Sequence, residues 1–286
     1  MNGNLYIVAT PIGNLSDMTE RAIETLKSVD LIAAEDTRNT GNLLNHFDIH
    51  TPMKANHKFN EKESVDYLLM QLQSGKNIAV VSDAGTPCVN DPGFVIASAA
   101  SKAGINVIPV PGACAAVTAV SASGLPSSTF TFMGFFPREK KETEALLDYI
   151  KDNRDELYIF YESPLRIKDT MEIIGTTYPD AQICLCNDLT KLHERIYRGT
   201  PDEVLNELKL NPNATKGEYC LLVYVTKPQK EEDDNDLLSP EAYLIDEIVK
   251  NGVTMKDAVS TLASNKQVPY SKKELYTASL KLKELL

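Results

Sequence analysis

The stretch Leu5-Tyr-Ile-Val-Ala-Thr-Pro-Ile-Gly-Asn-Leu-Ser-Asp17 joins a short apolar run to a turn that contains proline and glycine. The run over 5–9 predicts a buried β-strand, because short apolar runs bounded by turn residues are typical of strands in parallel sheets. Residues 18–28 then carry apolar side chains at helical spacing, which predicts a helix. The stretch therefore predicts a strand, a loop and a helix in succession.

The same succession of strand, loop and helix recurs through the first 125 residues. Strands alternating with helices imply crossover connections and a mostly parallel sheet, so the predicted fold class is α/β. Further strands are predicted over 30–34, 77–81 and 106–110, and further helices over 64–73, 94–102 and 113–122. After Pro137 the pattern changes, with strands predicted over 157–161, 182–186, 195–198 and 219–225, and helices over 142–151, 165–174 and 201–208.

The change of pattern near 130–137 predicts a boundary between an N-terminal α/β domain, 1–133, and a second α/β domain, 134–226. An acidic linker is predicted over 227–240, where five acids fall within six residues and favour an extended, solvated chain. Residues 241–286 have the pattern of a three-helix, helix-turn-helix-like module. The module has seven lysines and six acids, a charge of +1, whereas the whole chain carries −11.

The composition is that of an ordinary globular protein, with 286 residues, 43% hydrophobic and 24% charged. The first residues lack the basic and long apolar regions of a signal peptide, and no stretch approaches the ~20 apolar residues of a membrane span. The five cysteines are irregularly spaced, which favours reduced thiols and a cytoplasmic protein. Neither Cys184 with Cys186 nor His46 with His50 has a second ligand pair, so we predict no metal site.

Three loops follow predicted strands of the first domain and contain both glycine and proline: 10–17, 82–93 and 109–115. In an open parallel sheet, ligands bind beyond the carboxyl ends of the strands. None of these loops has the glycine pattern of a phosphate or dinucleotide loop. The acidic residues of 35–38 lie at the same edge and suit a cationic or hydroxyl-rich ligand. The alternative is that the loops are simply tight turns.

The runs 7–17, Ala34-Glu-Asp-Thr-Arg38, Ser82-Asp-Ala-Gly-Thr-Pro87 and Asp91-Pro-Gly93 resemble the tetrapyrrole-methylase superfamily, the class III S-adenosylmethionine (AdoMet) methyltransferases. The resemblance covers 4–226 in order and is strongest to the branch that acts on small-subunit ribosomal RNA. Further matching motifs lie at 161–166, 189–194 and 216–218. One difference from that branch is Asn187-Asp188, where Arg-Glu is common.

The resemblance implies two α/β domains with AdoMet in the cleft between them, no metal, and a homodimer. It implies 2′-O-methylation of a decoding-site cytidine ribose in 16S rRNA, within the small ribosomal subunit. The alternatives are methylation of a tetrapyrrole carbon and a non-catalytic AdoMet-binding ribosome-assembly factor. Matched motif by motif, the AdoMet-binding positions are Ile12, Ala84, Gly85, Thr86, Val89, Cys114, Ala115, Glu162 and Leu189.

A ribose hydroxyl is a weak acid, so a base or a polarising cation would assist its methylation. The candidates are Asp36, Lys191 and Glu162. Their structural alternatives are a helix N-cap for Asp36, an ion pair with Glu194 for Lys191, and support of the following turn for Glu162. Local basic residues would contact RNA phosphates, unless they are only a solvated surface; the candidates are Arg138, Lys140, Lys141, Arg166, Lys272 and Lys273.

Overall fold

The computed structural model describes residues 1–57, 61–227, 238–265 and 268–285. The chain forms two compact units, 1–227 and 228–286, each described by itself below. The division of the first unit at residue 133 stays a prediction. Most of the predicted acidic linker, 228–237, lies outside the described residues.

The first sheet has five strands, all parallel, in the order β3-β2-β4-β1-β5. The prediction of a parallel α/β arrangement is confirmed. The strands are β1 (Leu5–Val8), β2 (Leu31–Ala34), β3 (Met53–Ala55), β4 (Ile78–Val81) and β5 (Val107–Val110). The helices are α1 (Glu20–Ser28), α2 (Thr37–His46), α3 (Glu61–Gln73), α4 (Phe94–Lys102) and α5 (Ala115–Ser123), with a short 3-10 turn at Leu15–Asp17.

The second sheet is mixed, in the order β6-β7-β10-β8-β9. Only the β6–β7 pair is parallel among these five strands, and the other three pairings are antiparallel. Its strands are β6 (Phe130–Phe135), β7 (Leu157–Glu162), β8 (Gln182–Asn187), β9 (Arg195–Gly199) and β10 (Tyr219–Tyr224). Its helices are α6 (Lys140–Asp152), α7 (Ile167–Thr177) and α8 (Pro201–Leu210).

The two faces of the second sheet pack against different parts of the unit. One face packs under α6, α7 and α8 around buried aromatic rings such as Tyr158 and Phe160. The other face carries Ile159, Cys184 and Leu222 in one cluster with Ala116 and other residues of α5. Since α5 follows the last strand of the first sheet, this shared core holds the two sheets together and places the loops of the first beside the second.

The second unit contains α9 (Pro240–Asn251), α10 (Met255–Ser264) and α11 (Lys272–Leu285), close to the three predicted helices. Ser239 and Thr254 cap the first two helices by accepting backbone N–H bonds. The core includes Ala258, Leu262, Leu275 and Leu282, together with Leu244. Among the described residues, no helix has the length and apolar character needed to cross a membrane.

Candidate functional site

The three glycine- and proline-containing loops of the first sheet are bonded to one another. Thr10 and Gly85 exchange backbone hydrogen bonds, with N···O distances of 2.8 and 3.1 Å, which joins the first loop to the second. The Thr86 hydroxyl donates to the Ala113 carbonyl at 3.1 Å and joins the second loop to the third. The loops therefore form one rigid wall at the carboxyl edge of the sheet.

Gly85 of the second loop lies beside Ile12 of the first loop. Its φ is +79°, a left-handed conformation that side chains with a Cβ rarely adopt. A Cβ built there would lie 3.4 Å from Cγ2 of Ile12. The loop thus exposes backbone, rather than a side chain, at this position.

The loop wall faces the inner surface of the second sheet across a cavity of about 380 Å³. That volume is within the range of sites for drug-sized ligands, roughly 300–1,000 Å³. The side contributed by the second sheet includes Phe135, Tyr161, Leu189 and Cys220. The cavity therefore combines apolar surface with polar backbone, as in cofactor-binding clefts.

Three carboxylates from loops that follow strands of the first sheet, Glu35, Asp83 and Asp91, also line the cavity. Burial, together with the nearby charges of Glu35 and Asp83, raises the pKa of Asp91 to about 6. Burial also raises the pKa of Glu35, although the backbone N–H of Asp83 donates to it and opposes the shift. The site is strongly electronegative, which favours a cationic ligand.

Glu162 contributes a fourth carboxylate from the end of β7, and its side chain has no exposed surface. It accepts hydrogen bonds from the Ser163 N–H at 2.6 Å and the Thr170 hydroxyl at 2.7 Å, and Arg166 lies 3.3 Å away. Arg166 also donates to the carbonyls of Phe136 and Pro137. These contacts fix the turn between β7 and α7, as the structural alternative for Glu162 proposes.

Lys191 lies near the cavity but is not among the residues that line it. Its Nζ binds Asp188 at 2.8 Å and Glu218 at 2.9 Å, whereas the expected alternative was a pair with Glu194. Burial lowers the pKa of Lys191, but the hydrogen bonds and negative charges of Asp188 and Glu218 together outweigh it, so the pKa is raised overall. Asn187 is buried beside the Glu218 carbonyl, so the unusual Asn-Asp pair links the end of β8 to the start of β10.

Asp36 does not line the cavity. Its carboxylate caps α2 by accepting from the Arg38 N–H at 2.8 Å, and it pairs with the Arg38 guanidinium at 2.6 Å. The hydrogen bonds from Arg38 lower the pKa of Asp36 to about 2. This is the N-cap that the sequence offers as the alternative to a catalytic role.

The model of the family described as Tetrapyrrole (Corrin/Porphyrin) Methylases matches residues 4–205. The chain belongs to the tetrapyrrole methylase family. A relative from Halalkalibacterium halodurans, named ribosomal RNA small subunit methyltransferase I, is 45% identical over 96% of this chain and 93% of its own length. A relative of the same name from Escherichia coli O157:H7 is 47% identical over 85% of each chain.

Solved structures share the methylase fold. Diphthine synthase superposes with a TM-score of 0.62 at 16% identity, covering 78% of this chain and 90% of that one. A cobalt precorrin-4 methyltransferase superposes with a TM-score of 0.57 at 19% identity, covering 77% of this chain and 94% of that one. The expected fold class, two α/β parts of the tetrapyrrole methylase type followed by helices, is confirmed.

The structure brings together all nine residues that the family resemblance assigns to AdoMet. Each of them lines the single cavity described above: Ile12, Ala84, Gly85, Thr86, Val89, Cys114, Ala115, Glu162 and Leu189. They come from five separate segments of the chain. Of the three catalytic candidates, only Glu162 is in this lining.

Several other lining residues are not evident from the sequence. Asp83, Asp91 and Glu35 lie in the quoted motifs, but a sequence does not show which carboxylates turn toward a cavity. Phe135 lies at the predicted domain boundary and Tyr161 at the end of a predicted strand, where no sequence signal points to a cavity. Among the described residues, no group of three or more His, Cys, Asp or Glu side chains could hold a metal ion.

The basic residues expected to contact RNA differ in their surroundings. Arg138, Lys140 and Lys141 are exposed around the start of α6, and Lys272 and Lys273 are exposed at the start of α11. Arg166 is instead 27% exposed and engaged with Glu162 and two backbone carbonyls, so it stabilises the turn itself.

Proposed function

We propose that the chain is an AdoMet-dependent methyltransferase that methylates the ribose 2′-oxygen of a decoding-site cytidine in 16S rRNA, within the small ribosomal subunit. The observation that carries the proposal is the meeting of all nine family-matched cofactor positions in one cleft. The names of relatives that are 45–47% identical support rRNA as the substrate. A homodimer in the cytoplasm is part of the proposal.

The residues of the cleft fit AdoMet chemically. The exposed backbone at Gly85 leaves space for a ligand beside Ile12. Apolar side chains such as Leu189 suit the adenine ring, and the carboxylates suit ribose hydroxyls, the amino group and the sulfonium charge. AdoMet carries the reactive methyl group, so the protein needs to supply orientation, exclusion of water and a path for one proton.

We assign the proton acceptor to Asp91. Its carboxylate lines the cleft, and a pKa of about 6 leaves it ionised at neutral pH while making it a stronger base than an ordinary aspartate. Bound AdoMet would supply the methyl group from its sulfonium to the substrate oxygen, and Asp91 would accept the proton that this oxygen loses. Glu162 holds the turn that borders the cleft, while Asp36 and Lys191 act through the loops they stabilise.

In this proposal, Arg138 and the exposed lysines, Lys140, Lys141, Lys272 and Lys273, bind RNA phosphates. Their local positive charge allows binding to RNA although the chain as a whole carries −11. The contribution of Arg166 to RNA binding is expected to be small, because its guanidinium already has three protein partners.

The test is transfer of labelled methyl groups to small ribosomal subunits purified from cells that lack the gene, followed by nucleoside analysis. We expect one 2′-O-methylcytidine per subunit and no incorporation into subunits from wild-type cells. A label on a tetrapyrrole instead, or AdoMet binding with no transfer to subunits or to naked 16S rRNA, would refute the proposal.

A further inference from the structure

Strand β6 contains an irregularity beside the cleft. Phe132 pairs with Ile159 and Phe135 pairs with Tyr161, so β6 spans three residues where β7 spans two. One extra residue in a strand moves the following side chain to the opposite face of the sheet. Phe135 therefore lies on the same face as Phe132 and Tyr161, the face that borders the cleft, instead of the opposite face.

Gly134 permits this irregularity. Its φ is +72°, and a Cβ there would lie 2.9 Å from Oδ1 of Asn90. Asn90 belongs to the second cofactor loop and lines the cleft. The bulge is thus packed against the loop wall, and the local backbone directs Phe135 into the cleft at a fixed place.

The aromatic rings at this place form a small cluster. The ring centroid of Tyr161 lies 4.9 Å from that of Phe132 and 5.9 Å from that of Phe135, both in edge-to-face geometry. Phe135 nevertheless remains 56% exposed, although it lines the cavity. An aromatic ring that is held by a neighbour yet open to solvent at a cleft offers a stacking surface.

We propose that Phe135 is the stacking surface for the base of the substrate nucleotide. The inference rests on the proposed function, and it adds the residue that positions the acceptor. RNA-binding proteins commonly stack unpaired bases on aromatic side chains, since every base has a π-face. We assign the substrate base rather than the adenine of AdoMet to Phe135, because Ile12 and Leu189 provide a deeper apolar surface that is under 10% exposed.

The test compares Phe135→Ala with Phe135→Tyr, and uses Phe130→Ala as the control. Phe130 lies on the same strand and is 41% exposed, but it is not in the cavity lining. For Phe135→Ala we expect kcat/KM toward small subunits to fall about 5- to 100-fold. Phe135→Tyr and the control should stay within about threefold of wild type, and the Kd for AdoMet should change less than about threefold in all three variants.

A second readout does not depend on activity. The probe is a decoding-region RNA fragment that carries the fluorescent base pyrrolocytidine at the target position. At saturating protein, the wild type and Phe135→Tyr should quench its fluorescence by stacking, and Phe135→Ala should quench it much less. Equal kcat/KM and quenching in wild type and Phe135→Ala would overturn the inference, as would a matching loss of AdoMet affinity. Absence of methylation by the wild-type protein would instead refute the proposed function, and the quenching comparison would still decide the role of Phe135.

Discussion

Among single residues, Asp36 outside the cleft and Asp91 in its lining differ in pKa because of their surroundings. Asp36 is stabilised in its charged form by Arg38, whereas Asp91 is destabilised in its charged form by burial and by Glu35 and Asp83. A raised pKa in the folded protein means that ionising Asp91 costs stability. That cost is absent below about pH 4, grows as the pH rises toward about 6, and is complete above it.

We therefore expect Asp91→Asn to raise the free energy of unfolding by about 1 kcal/mol at pH 8, after allowance for partial exposure. Thermal melting should show a gain of about 2–4 °C at pH 8 and none at pH 4. Asp66→Asn, an exposed acid on α3, is the control and should show no such pH-dependent gain. An equal gain at both pH values would contradict the electrostatic explanation.

At the scale of elements, the site depends on loops that are held by one another. Gly85 exchanges backbone hydrogen bonds with Thr10, has a left-handed φ of +79°, and lines the cleft beside Ile12. Gly104 has a similar φ of +69° but no atom within 4 Å of a built Cβ. Substitutions at Gly85 and Gly104 therefore distinguish the effect of backbone strain, which both share, from the effect of filling the cleft.

Gly85→Leu should weaken AdoMet binding by at least tenfold in calorimetry, because the added side chain occupies space beside Ile12. Gly104→Leu should bind AdoMet as the wild type does. Both should lose about 1–3 kcal/mol of stability from the strained backbone. Equal AdoMet affinity in Gly85→Leu and wild type would mean that this loop does not border the cofactor.

At the scale of the whole molecule, each of the two compact units has its own core. A protein ending at residue 227 should therefore remain folded and bind AdoMet within about threefold of the full chain. We expect its methylation of small subunits to fall mainly through a higher KM. The double variant Lys272→Glu with Lys273→Glu should reproduce part of that loss and reduce the salt dependence of binding, because fewer counterions are released.

The readouts are sedimentation, AdoMet calorimetry and subunit methylation at several salt concentrations. Lys256→Glu, an exposed lysine on α10, is the matched charge control. An unchanged KM in the truncated protein would argue against RNA docking by residues 241–286. A shift to monomer on truncation would then assign these helices to dimerisation.

The α/β class and the alternation of strands and helices could be predicted from the sequence, because they depend on local periodicity. The nine positions proposed for AdoMet could be predicted from motifs that resemble the family. β3 was not predicted, since its three residues are only partly buried and lack an apolar run. β6 falls within the boundary predicted near 130–137, where the pattern of strands and helices changes. Local patterns are weak signals at such edge strands, which are specified by the neighbour they pair with.

Which charged groups line the cleft depends on the fold. Asp36 and Lys191 both follow strands, but neither lines the cleft: Asp36 is paired with Arg38, and Lys191 with Asp188 and Glu218. Asp91 lines the cleft next to Asn90, whose side chain lies beside Gly134 of the second sheet. The sequence gives the type of each ionisable side chain. Its pKa and its partners depend on residues that are distant along the chain and that folding brings close to it.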